Sequence, residues 1–305
     1  MGIAFISHPD CELHDTGAGH PESPARMRAV LDYLPSREVW QRLTQHEAPL
    51  ARKEQLYRAH DRDYVDTVIA AEPAEGRVYL DPDTSMAPHS LDAALRAAGS
   101  VVKAVDLVMS GEADQAFCCV RPCGHHAEIA RPMGFCMFNN VAVGARYAQH
   151  QFGINKLAIV DFDVHHGNGT EDIFRNDPSV LFSSTFQHPF YPGSGADTRS
   201  DHIVNVPLAA GTRGDLFRAA FEEKILPALN SFEPELLFIS AGFDAHDDDP
   251  LAQLCLLEED FAWATRKLKE VANVHANSRL ISVLEGGYSL SALGPSVEAH
   301  LQAMI

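Results

Sequence analysis

The chain has 305 residues, 46% hydrophobic and 22% charged, a globular composition that argues against disordered, fibrous and membrane-spanning classes. A formal net charge of −18 sets the surface against phosphate backbones, so direct nucleic-acid binding is not expected; it would draw in cationic partners, and solubility alone also accounts for it. Met1 to His8 lacks a basic leader region, no run approaches a membrane span, and the six cysteines follow no disulfide framework, so they read as reduced thiols in a cytoplasmic protein.

In chain order, apolar residues at helical spacing (Leu91, Ala94, Leu95, Ala98, Val101, Val102, Val105, Val108) predict a helix over Ser90 to Met109. A strand follows over Gln115 to Val120, then a helix over Asn139 to Gln149 and strands over Lys156 to Val160 and Val180 to Ser183. A helix over Gly214 to Leu229, a strand over Leu236 to Ser240, a helix over Glu258 to Ala276, a strand over Leu280 to Leu284 and a helix over Ser289 to Met304 complete the pattern. Such alternation predicts an α/β fold, a mostly parallel sheet covered by helices on both faces. No repeat, linker or low-complexity stretch interrupts it, so residues 1–305 read as one domain.

Open α/β sheets bind ligands at the carboxyl ends of their strands. The loops there carry Gly124, His125 and His126 after Val120; Asp161, Asp163, His165 and His166 after Val160; Asp244 after Ser240; and Gly286, Gly287 and Tyr288 after Leu284. Four loops thus deliver histidines, aspartates and a tyrosine to one edge, the layout of a site. An extended chain puts Asp161, Asp163 and His165 on one face, so Asp163 and His165 can grip one ion. Asp244 would add a third ligand and leave a position open, as catalytic zinc requires; iron(II), cobalt or manganese suit the same donors. Helix capping ahead of Gly167 and Gly169 would explain one acid but not the set.

His125 and His126 are adjacent, so one of them can face a metal-activated water and act as base, while His166 reads as structural support. Two glycines before Tyr288 leave room for its phenol to approach a reacting carbonyl and stabilise the oxyanion; a core tyrosine is the competing account.

Arg121-Pro122-Cys123-Gly124-His125-His126-Ala127, the run Asp161 to Gly169, the run Ser240 to Asp244 and Leu284-Glu285-Gly286-Gly287-Tyr288 resemble the signature loops of the histone deacetylase family. The likeness runs from His20-Pro21-Glu22 through Gly134-Phe135 and Tyr191-Pro192-Gly193 to the last loop. It implies an arginase-like three-layer α/β/α domain, with zinc on Asp163, His165 and Asp244. By the same resemblance His126 is general base and then acid, His125 its electrostatic partner supported by Asp161, and Tyr288 the group that polarises the amide carbonyl. Potassium is implied on oxygens beside Asp161, Asp163, His165, Ser184 and Thr185, and a narrow substrate channel along Gly134, Phe135, Tyr191 and Leu251. Asn168 and Glu285 stand where the eukaryotic class I pattern has aspartate and glycine, as in class II and bacterial members; a neutral Asn168 should leave His126 less basic.

The activity so implied is hydrolysis of the amide of an acyl-lysine side chain, acetyl or another short acyl, in a protein, peptide or small amide. An acetylpolyamine amidohydrolase is the nearest alternative. It would be expected to place a carboxylate near Leu251, and Asp247, Asp248 and Asp249 precede that leucine. A binuclear manganese ureohydrolase of the same fold and a non-catalytic acyl-ligand binder are further alternatives, the latter disfavoured by His126 and Tyr288.

Overall fold

The computed structural model describes residues 2–305. The chain opens with β1 (Ile3–Ser7), α1 (Pro24–Leu31), β2 (Leu43–Glu47), the short α2 (Lys53–Leu56), α3 (Arg62–Ala70) and a hairpin of β3 (Val78–Asp81) and β4 (Thr84–Met86). Then come α4 (Ser90–Ser110), β5 (Gln115–Cys118), α5 (Asn140–Phe152), β6 (Leu157–Asp161), α6 (Asn168–Phe174), β7 (Val180–Gln187) and β8 (Ile203–Leu208). The last third holds α7 (Gly214–Ala220), α8 (Leu226–Phe232), β9 (Leu236–Ala241), α9 (Glu258–His275), β10 (Leu280–Leu284) and α10 (Leu290–Met304).

Eight strands form one sheet in the order β2-β1-β5-β10-β9-β6-β7-β8, and every neighbouring pair is parallel. Parallel strands are buried on both faces, which is why β6 (LAIVD) and β10 (LISVL) read as nearly continuous apolar runs with every residue buried. The register shows the layers. Ile281 pairs with Phe238, and Ser282 with Ile239. Phe238 reaches toward Gly144 of α5, whereas Ser282 lies 2.8 Å from His300 of α10, so alternate residues serve opposite helical layers. One apolar core runs from Ile3 to Met304.

The expected parallel α/β sheet is present, with differences at its margins. Strands β1, β2, β3, β4 and β8 and helices α1, α2 and α3 fall outside the predicted elements. The stretch expected as one helix over Gly214 to Leu229 is α7, a π-helical turn over Phe221–Ile225, and α8. Pro227 has no N–H to donate, and the helix widens just before it. Among the described residues no helix is long and apolar enough to cross a membrane, and the cysteines are free.

The strands β5, β10, β9 and β6 are consecutive in the middle of the sheet. At about 4.8 Å per strand, the loops at their carboxyl ends lie within roughly 15 Å of one another.

Candidate active site

The turn after β6 is shaped by its own acids. Asp161 Oδ1 accepts the Asp163 N–H at 3.0 Å, and Asp163 Oδ1 accepts the His165 N–H at 2.9 Å, which curls the chain so that successive side chains gather. His165 Nδ1 lies 3.0 Å from Asp163 Oδ1 and 3.2 Å from Asp244 Oδ2. Donor atoms of Asp163, His165 and Asp244 all lie within 4.8 Å of one another, and the three residues are buried. Backbone N–H groups hold the remaining oxygens: Val164 donates to Asp244 Oδ1 at 2.9 Å and Gly286 to Asp163 Oδ2 at 2.8 Å. The carboxylates can draw this close because Gly242 and Gly286 have no side chains; a Cβ on either would lie 2.1 Å from a ligand oxygen.

Electrostatics point the same way. Burial would lower the His165 imidazole, but Asp163 and Asp244 outweigh it and raise it to about 10. Burial and the neighbouring Asp163 charge push Asp244 up to about 7. Two buried carboxylates that need a shared positive charge, with Asp244 Oδ2 left without a well-formed hydrogen bond, are a donor set that fits a divalent cation. Beside it, Asp161 pairs with Ser184 across β6 and β7; Ser184 Oγ is buried without a partner, and Thr185 is buried next to it.

The two histidines after β5 part company. His125 Nδ1 lies 2.9 Å from Asp161 Oδ2, and its Nε2 lies 3.8 Å from Asp163 Oδ1. Burial would lower its imidazole, yet the carboxylates of Asp163 and Asp161 raise it well above the ordinary range. His126 Nδ1 lies 2.7 Å from Asn168 Oδ1, while Asn168 Nδ2 donates to Glu128 Oε1 at 2.8 Å. Since that amide oxygen accepts, His126 Nδ1 carries the proton and its Nε2 keeps a lone pair. Burial, with His125 and His165 beside it, holds His126 well below the usual imidazole range.

His126 and His165 meet Tyr288 in one cavity of about 130 Å³, whose other lining residues include Gly134, Phe135, Tyr191 and Leu251. All four expected channel residues are therefore brought together with the expected base and phenol. Burial raises the Tyr288 phenol well above its ordinary range, so it stays a hydrogen-bond donor. His166 faces away from the cavity group: its Nδ1 lies 3.0 Å from Ser194 Oγ and its Nε2 2.9 Å from Glu171, bracing the loop that carries Tyr191.

Several carboxylates take up roles at the site that residue spacing does not show, because most of their partners are backbone N–H groups. Asp83, at the β3–β4 turn, lines the cavity, accepting from Gly134 N at 2.9 Å and from the Tyr191 hydroxyl at 3.0 Å. Glu285 accepts from Gly124 N at 2.7 Å and His125 N at 3.1 Å, fixing the histidine loop, and burial raises its carboxyl to about 7. Asp249 turns inward, so the Asp247 to Asp249 run is not simply the solvated turn a charge run suggests. Beneath the floor, Glu22 takes Arg121 in a two-pronged pair at 2.7 and 2.6 Å.

A cation cradle, a neutral imidazole and a protonated phenol at the base of one apolar slot can together add water to a carbonyl. Residues 20–304 match the family model described as the histone deacetylase domain. An uncharacterized protein of Synechocystis is 38% identical over 99% of both chains. A "histone deacetylase-like amidohydrolase" of Pseudomonas aeruginosa is 38% identical over 89% of this chain and 73% of its own, and a "probable deacetylase" of Archaeoglobus fulgidus is 36% identical over 97% and 84%. The crystal structure of the HDA15 HD domain superposes with a TM-score of 0.93 at 33% identity, covering 100% of this chain and 90% of that one.

Proposed function

The chain belongs to the histone deacetylase family and is a hydrolase of carbon–nitrogen bonds other than peptide bonds, and from that premise we propose that it is a zinc-dependent deacylase of acyl-lysine side chains. The observation that carries this reading is the convergence of His126, His165 and Tyr288 at one narrow, aromatic-walled cavity. An apolar slot suits the methylene stem of an acyl-lysine, whose nitrogen is an uncharged amide.

Asp163, His165 and Asp244 would hold the divalent ion, which when bound supplies Lewis acidity to the amide carbonyl and acidity to water. His126, kept neutral, takes a proton at Nε2 as water attacks the carbonyl carbon. Tyr288 donates a hydrogen bond to the oxygen that gains negative charge. The protonated His126 passes its proton to the leaving nitrogen, and the amine departs from the carboxylate without a covalent intermediate. His125 and Asp161 form a charged pair behind the reacting atoms. The oxygen-lined neighbourhood of Asp161, Ser184 and Thr185 fits a monovalent cation, which we assign as potassium. The one eight-stranded sheet and the core built around it support reading residues 1–305 as one catalytic domain.

Asp83 at the cavity favours a second reading, an acylated polyamine whose further ammonium would meet that carboxylate. The test is metal content together with turnover of an acetyl-lysine peptide and acetylated polyamines on one preparation. We expect one zinc per chain, faster turnover of the acetyl-lysine substrate, and losses of about 100-fold or more in kcat for Tyr288→Phe and for His126→Ala. Faster polyamine turnover would move the assignment to the second reading; two manganese ions and no amide cleavage would sink both.

A further inference from the structure

The loop that carries Tyr288 has no local reason to hold one path. It begins with Gly286 and Gly287, and Gly287 sits at φ +127, a region open to glycine. Yet in the proposed chemistry Tyr288 and the cradle that includes Asp244 grip the same carbonyl oxygen, so the distance between them must be set from outside the loop. Arg26 holds one polarity of this backbone, donating from Nε to Gly287 O at 2.7 Å and from its other arm to Glu285 O. Of the loop's N–H groups, Gly286 donates to Asp163 Oδ2 in the cradle, and those of Tyr288 and Ser289 fall to a single further carboxylate. Asp249 Oδ2 accepts from Tyr288 N at 2.7 Å and from Ser289 N at 3.2 Å, and its Oδ1 accepts from Leu251 N at 3.0 Å.

Asp249 is only 6% exposed, and it lies on the loop after β9, five residues beyond Asp244. That interval is a run of turns: His246 N donates to Phe243 O at 3.3 Å, and Asp249 N to His246 O at 2.9 Å. The same interval is pinned laterally where Asp247 N donates to Leu256 O at 2.9 Å. A stiff spacer therefore leads from a cation-cradle residue to the carboxylate that holds Tyr288, and Leu251, a cavity wall, hangs from the same group.

We infer that Asp249 is the positioning residue for Tyr288, setting where the phenol stands relative to the Asp163–His165–Asp244 cradle; the inference rests on the role proposed for Tyr288. It touches no reacting atom itself. Asparagine at this position keeps the shape but exchanges one acceptor oxygen for a donor that faces an N–H. Glutamate keeps the charge and lengthens the arm by a methylene.

The experiment is a double-mutant cycle of Asp249→Asn with Tyr288→Phe, with Asp249→Glu alongside, read as kcat on an acetyl-lysine peptide, metal per chain and thermal unfolding. A displacement on the order of 1 Å costs about 100-fold, so kcat in Asp249→Asn and Asp249→Glu is expected to fall by about 10- to 100-fold with metal content unchanged. In the Tyr288→Phe background Asp249→Asn is expected to add little, because the hydroxyl it places is already gone. Additive losses, a wild-type rate in Asp249→Asn, or a wild-type rate in Asp249→Glu would overturn the inference. Loss of metal or of cooperative unfolding in both Asp249 variants would also overturn it, since the carboxylate would then be holding the scaffold. Full activity in Tyr288→Phe alone would mark failure of the functional reading itself, distinct from failure of the cycle.

Discussion

At Gly134 a single hydrogen atom stands where any other residue would collide with the proposed base. Its φ is +58, and a Cβ there would lie 2.3 Å from His126 Cδ2. Gly134→Ala is therefore expected to displace the His126 ring and cut kcat by about 100-fold while the protein still unfolds cooperatively; a rate within twofold of wild type would show that the ring moves freely. The cradle residues were legible in the sequence because Asp163 and His165 share a strand-end periodicity and Asp244 follows another strand. Asp83 was not, and Glu285 and Asp249 stood out only as a departure from the class I pattern and as the end of an acidic run, since accepting from backbone N–H groups leaves no pattern of residue types to mark the role. Adjacency alone left open which of His125 and His126 is the base, and the family resemblance separated their duties; in the fold Asp161 lies behind one ring and Asn168 behind the other.

Where α5 begins, one side chain joins three elements. Asn139 Oδ1 accepts the Ala142 N–H at 3.0 Å as the helix cap, and its Nδ2 donates to Ala127 O at 3.2 Å and Thr170 Oγ1 at 3.1 Å. Asn139→Ala removes a cap and leaves a buried carbonyl short of a donor, so a loss of about 2 kcal/mol is expected in urea unfolding, with a shift below about 0.5 kcal/mol counting against it. At this scale the central strands and long helices were legible because burial on two faces makes apolar runs and burial on one makes a 3.6-residue stripe. The sheet margin was not. Strand β2 at one edge is LTQHE with only Leu43 buried, and β8 at the other edge is mixed, so neither carries a run that stands out. The break in the Gly214–Leu229 helix was foreshadowed only by Pro227.

Over the whole molecule, acid sensitivity follows from imidazoles enclosed as neutral groups. Burial holds His14 and His60 down to about 4 and His300 to about 3. His60 must be neutral where it stands, because its Nε2 accepts the Asn139 N–H at 2.9 Å. In the unfolded chain each titrates near 6.5, so below that pH the unfolded state binds more protons; the stabilisation is complete above about 6.5 and is lost as pH falls toward 4. Glu22 extends the loss. Burial would raise it, but Arg121 outweighs burial and lowers it to about 2, so its contribution disappears as pH falls from about 4.5 toward 2. Asp244 and Glu285, raised to about 7, act in the opposite sense over the same interval. The contribution of a ring is therefore read as the difference in urea unfolding between the protein and His300→Asn, which is expected to shrink as pH falls from about 7 to about 5; a difference that stays constant would contradict the burial of that ring.

The carboxylates that brace the cavity each reach from one loop to another: Asp83 to Gly134 and Tyr191, Asp249 to Tyr288, Glu285 to Gly124 and His125. Loops joined in this way recombine as sets. A chimera that takes the β3–β4 hairpin from a relative without its matching Gly134 and Tyr191 segments inherits an acceptor without its donors, whereas transplanting the segments together carries the fastening with them. The units of exchange in this scaffold are therefore pairs and triples of loops, and a change of substrate range is reached by moving them jointly.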